Sequence, residues 1–202
     1  MQELLTGLTD IPIAILSLIF TILLARKTSR NFDGYMTFAL ICFSSILGTI
    51  AHTTNLTGAA YKWLWAVLFV FLFESIRWGS FLIMSGIDPG VRKHTTKAII
   101  VEAWLYLFAL ILILTNKPRP YYLYFLVVFA VVMVVWAIVL IVKSKKYTKY
   151  HIIMLASGAI AALFQALTEV VPYAESIEHI FIMIAMAALY LIAKEDCKNF
   201  NE

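Results

Sequence analysis

Residues 168–194 read TEVVPYAESIEHIFIMIAMAALYLIAK, with Glu169, Glu175, Glu178 and His179 set just before an apolar run over 180–193. As a helix those fourteen residues span about 21 Å at the usual rise. The hydrocarbon core of a bilayer is about 30 Å thick. A helix that crosses the membrane here has to begin upstream of the run. That draws Glu178 and His179, and Glu175 with them, below the lipid surface. Positions 175, 178 and 179 are spaced i, i+3, i+4 and share one helix face. Ile182, Met183 and Met186 continue that face, so the pattern predicts a pocket with a polar mouth and an apolar floor.

The rest of the chain explains why lipid is the frame for this stretch. Of 202 residues, 62% are hydrophobic and 14% charged, and the mean hydropathy is +0.89. Soluble domains are nearer half apolar and a quarter charged, so this chain needs lipid as solvent. No polar stretch is long enough for a separate soluble domain, and nothing suggests a nucleic-acid partner. Cys42 and Cys197 imply no disulfide framework. The acidic start, MQELLTGLTD, lacks the basic region of a cleavable signal peptide.

Seven segments are long and apolar enough for spanning helices: 11–30, 35–53, 61–83, 98–114, 121–142, 151–171 and 174–193. An all-α bundle of seven transmembrane helices in a single membrane domain is the expected fold, because backbone groups in lipid must be satisfied within each segment. With the N-terminus outside, twelve Lys and Arg fall on inner connections and the tail. Lys62, Lys117 and Arg119 alone fall outside, and Arg77 lies within the third segment. This bias predicts an outer N-terminus and an inner C-terminus. The orientation brings Asp10, His52, Glu169, Glu175, Glu178 and His179 to the outer ends of segments 1, 2, 6 and 7.

Several of these residues carry two readings. Asp10 precedes Ile11 and Pro12, and an N-cap with Pro12 in the first turn is the simpler expectation. A helix starting near Thr6 would instead turn Asp10 into the bundle. His52 is either an interfacial hydrogen-bonding group or a metal ligand with His179 and a carboxylate; zinc takes such donors and leaves a position for water. Gln165 and Glu169 are four apart and share a face if the sixth helix runs to 171. Ser45, Gly48 and His52 recur on one face of segment 2, where small residues permit close helix approach. Glu74 and Arg77 are i, i+3 neighbours and predict a structural ion pair, with Glu102 also in range of Arg77.

LTGLTD before the first segment, AHTTN at the end of the second, and ESIEHIFIMIAMAALYLIAK carry a resemblance. The pattern resembles the superfamily of alkaline ceramidases and progestin/adiponectin receptors, and more closely a group of small bacterial seven-helix proteins. The resemblance implies a multi-pass protein of a bacterial cell membrane acting on a lipid amide or ester. It implies a zinc held by His52 and His179; the second histidine of the superfamily is absent, and Glu175, four residues before His179, is our own substitute for it. Glu178 or Glu169 would then take the water proton, and Asp10, Gln165 and Ser45 would line the pocket. Gly48 stands where that superfamily has a serine, and segment 3 carries no Asp. Beside the hydrolase stand two other readings. One is a binding or transport protein for a cation, a proton or a small solute at the same pocket. The other is a receptor or structural membrane protein without chemistry of its own. Retinal is not expected, because segment 7 has no mid-membrane Lys; Lys194 lies at its inner end.

Overall fold

A computed structural model describes residues 2–26, 32–54, 56–87, 95–115, 149–168 and 170–199, and single positions between 128 and 142. The described residues form six helices: α1 (Gln2–Ala25), α2 (Phe32–Thr53), α3 (Gly58–Ile87), α4 (Thr95–Thr115), α5 (Lys149–Ala166) and α6 (Ala174–Asn199). Five of them, α1, α2, α3, α5 and α6, are long and apolar enough to cross a membrane. The fifth expected segment, 121–142, lies mostly outside the described residues.

The first helix shows why the chain is built for lipid. Thr6, Asp10, Ile13, Ser17, Phe20 and Leu24 are buried at spacings of three and four residues, which is one helix face. Leu4, Leu8, Ile11, Ile15, Leu18 and Ile22 face outward. Polar groups point inward and large apolar groups outward, the reverse of a helix in water. The face also corrects the expected start. α1 begins nine residues before position 11, so Asp10 lies in its third turn and is not an N-cap. Helix continues upstream because Thr6 and Asp10 belong to the same buried stripe as Ile13 and Ser17. Pro12 sits inside the helix, where it has no N–H to offer the carbonyl of Leu8.

α1 packs chiefly on α2, α2 on α3 and α5 on α6, while α6 also closes against α1 and α3. One core cluster joins α1, α2, α3 and α6 through Ile13, Phe20, Phe38, Leu82, Met186 and Leu189. Within it the Phe20 ring stacks on Tyr190 at 4.4 Å and meets Phe38 edge-on at 5.2 Å. A second cluster joins α2, α3 and α4 through Ala51, Trp65, Phe69, Phe73, Ala109 and Ile113.

At the other boundary, α5 stops at Ala166, five residues short of the expected 171. The Leu167 amide is shared between the carbonyls of Leu163 and Phe164, both at 3.1 Å. Val170 and Val171 then turn back onto the Leu167 carbonyl at 2.9 and 2.8 Å. Pro172 follows, and Tyr173 takes a left-handed conformation with φ 61° to aim the chain into α6. Gln165 lies in the last turn of α5, and Glu169, expected on the same face, lies outside the described residues. α6 runs past 193 to Asn199.

Candidate functional site

Residues in the N-terminal turns of α1 and α6 meet through side chains. The Thr6 hydroxyl donates to Glu175 Oε2 at 3.0 Å. One turn along α1, Thr9 Oγ1 lies 2.7 Å from His179 Nδ1. The other ring nitrogen of His179, Nε2, stands 3.6 Å from Asp10 Oδ1. Thr6 thus meets Glu175 while Thr9 and Asp10 meet His179, because 6, 9 and 10 on one helix and 175 and 179 on the other repeat at helical spacing.

α2 supplies the wall behind Asp10. A Cβ placed on Gly48 would lie 2.7 Å from Asp10 Oδ2 and 3.1 Å from its carboxyl carbon. The glycine is a notch filled by the carboxylate. A second notch faces the opposite way: a Cβ on Gly7 would meet Thr53 Cγ2 at 2.8 Å and His52 Cβ at 3.2 Å. Such reciprocal small residues let two helices approach closely. The His52 ring meets Trp65 of α3 edge-to-face at 5.9 Å and stands within electrostatic reach of His179. Ser45 is buried one turn further along α2, and its carbonyl accepts the Thr49 hydroxyl at 3.0 Å.

α5 reaches the cluster through its last turn. With its amide nitrogen turned toward the acceptor, Gln165 donates to both carboxylate oxygens of Glu178, at 2.8 and 2.6 Å. That orientation is assigned from the hydrogen-bonding partners, since Glu178 offers only acceptors to it. Asp10, Glu175 and Glu178 are all buried. Asp10, Glu175 and His179 thus lie at the contact of α1 and α6, with the Gly48 notch of α2 behind Asp10, and Glu178, next to His179 in sequence, makes the bond to α5. Buried carboxylates in lipid are costly unless they are hydrogen-bonded, and hydroxyl and amide donors supply such bonds to Glu175 and Glu178.

The zinc implied by the resemblance does not fit this arrangement. Glu175 is engaged by Thr6, and the two nitrogens of His179 face Thr9 and Asp10. Among the described residues no group of three or more His, Cys, Asp and Glu is placed to hold a metal ion. Glu74 and Arg77 lie elsewhere, on α3. Arg77 Nε donates to Glu74 Oε2 at 2.9 Å, one of its Nη atoms bonds the same oxygen, and the guanidinium covers the Trp78 ring at 5.1 Å. The Tyr106 hydroxyl of α4 adds a bond to Glu74 Oε1 at 3.2 Å. The side chain of Glu102 lies outside the described residues.

Thr6 and Thr9 are the site residues that the sequence reading passed over. Their signal was available in TGLTD, where Thr6, Thr9 and Asp10 share one face once α1 is extended back to Gln2. A mainly apolar furrow between α1 and α2, lined by Ile11, Ile15, Leu18, Ile46, Ile50 and also Thr49, lies beside the site. No curated protein and no solved structure matches the chain. One family does match it over residues 5–198, and the chain belongs to that family, a family of unknown function designated DUF6962.

Proposed function

We propose that the chain is a membrane protein that binds and releases protons at the outer end of its helix bundle. The supporting observation is that Asp10, Glu175 and Glu178 are buried, with the partly buried His179 3.6 Å from Asp10, and that hydroxyl and amide donors hold Glu175 and Glu178. Titratable groups within spanning helices commonly mark proton or ion sites. The reading extends to seven spans with the N-terminus outside, on the strength of the Lys and Arg distribution along the sequence. Membrane lipid is the partner whose chains suit the apolar furrow beside the site.

Proton binding is favoured over metal-dependent hydrolysis because the histidine and carboxylate groups are turned to hydroxyl, amide and carboxyl partners. It is favoured over open transport because the Phe20, Phe38 and Tyr190 rings pack against one another in the core that follows the site along α1. The test is the thermal unfolding midpoint of purified protein between about pH 4 and pH 8, the ordinary range of carboxylates and imidazole. Wild type should show a pH-dependent midpoint that Asp10→Asn and Glu178→Gln each flatten. Identical profiles for wild type and both variants would defeat the proposal.

A further inference from the structure

We infer that the exchangeable proton of this site is held between Asp10 Oδ1 and His179 Nε2, with Thr9 as the positioning residue that fixes the imidazole tautomer. The inference rests on the proton-binding reading and assigns it to two atoms.

The argument is a count of hydrogens. Thr9 Oγ1 lies 2.8 Å from the Thr6 carbonyl oxygen and 2.7 Å from His179 Nδ1. A hydroxyl has one hydrogen, and a carbonyl oxygen can only accept. An oxygen–oxygen approach of 2.8 Å needs that hydrogen between the two atoms. The Thr9 hydroxyl therefore donates to Thr6, and the hydrogen in the contact with His179 belongs to Nδ1. The neutral ring then carries its lone pair on Nε2.

That lone pair faces the Asp10 carboxylate at 3.6 Å, and Asp10 is confined from behind by the Gly48 notch. Two electron-rich groups directed at each other in a buried site repel. A proton taken up from outer water removes the repulsion, whether it sits on Nε2 as imidazolium or on Oδ1 as a carboxylic acid. The balance is simple: one proton enters, no other bond is broken, and the pair goes from a net charge of −1 to zero. A small rotation of the ring or the carboxyl closes the separation to hydrogen-bond length.

The neighbouring titratable groups agree with this assignment. His52 of α2 stands within electrostatic reach of His179. On α6, Glu175 is bonded by Thr6, and Glu178 by Gln165 of α5. Asp10 is the carboxylate paired with Nε2, at 3.6 Å.

Nitrogen-15 spectra of histidine-labelled full-length protein in lipid nanodiscs test the assignment, with His179→Asn identifying the signal. In wild type above the pH of proton uptake, Nδ1 should be N–H-type and Nε2 lone-pair-type. Acidification should change the Nε2 signal alone, to N–H type where the proton sits on the ring or to a hydrogen-bonded acceptor where it sits on Oδ1, with Nδ1 unchanged in both. Asp10→Asn should remove that change over the same range. Thr9→Val should mix the two tautomers, and Thr9→Ser should restore one. A neutral His179 with its hydrogen on Nε2 in wild type would overturn the inference, and that measurement stands even if a variant fails to fold. A pH-dependent unfolding profile with the wrong tautomer would leave proton binding intact and refute the atom assignment, so the two failures are distinguishable.

Discussion

An alanine at position 48 would set its methyl 2.7 Å from Asp10 Oδ2, closer than a carbon and an oxygen tolerate. The carboxyl would have to leave its notch or α1 would have to move from α2. Gly48→Ala should therefore lower stability by about 1–3 kcal/mol, the usual range for overpacking. Added to Asp10→Ala, the same change should cost much less, since the group it meets is gone. Thermal unfolding of the two single variants and the double variant in detergent reads this coupling. The sequence identified Gly48 as a small residue on the His52 face of its helix. It did not identify Asp10 as its partner, because the register between two helices is set by packing and not by spacing within either one. Thr9 was overlooked for a related reason: its hydroxyl gains meaning only once His179 is seen to face it.

At the scale of elements, the turn between α5 and α6 places Gln165 over Glu178, and its geometry hangs on Tyr173. A side chain in the left-handed region costs about 1–2 kcal/mol, and a β-branched one is worse placed there. Tyr173→Gly should keep or raise the unfolding midpoint. Tyr173→Val should lie below Tyr173→Gly by about 1–2 kcal/mol. Equal midpoints would show that the turn is not held in this conformation. Helix existence was legible from the length of the apolar runs, and for α6 the shortness of residues 180–193 also gave the need for an upstream start. Helix ends were less legible. Pro172 suggested a stop near 171, but the backbone turns at Leu167, where the local hydrogen bonding tightens. Thr6 and Asp10 hid the true start of α1, since polar residues look like a loop until their partners are known.

For the whole molecule, composition alone indicated a lipid environment, because buried polar and exposed apolar faces follow from it. The orientation proposed from Lys and Arg makes a direct prediction with native thiols. Cys42 is buried in α2, and Cys197 is in the tail beyond Lys194. A membrane-impermeant maleimide should label Cys197 in inverted vesicles and leave it unlabelled in right-side-out ones, with Cys197→Ser as the blank. The opposite pattern would reverse the bundle. Which helix meets which could not be read from composition, since every apolar face is equally at home in lipid.

The depth of Asp10 has an electrical consequence. Asp10 is six residues into the 22-residue apolar span that begins at Leu4, roughly a quarter of the way by helical rise. A proton exchanged between Asp10 and water at the near end of that span crosses only that part of the membrane voltage. A full crossing is worth about 2.3 kcal/mol per 100 mV, so this partial one is worth about 0.6 kcal/mol. Occupancy of the pair would then follow membrane potential as well as pH, making the site a shallow voltmeter.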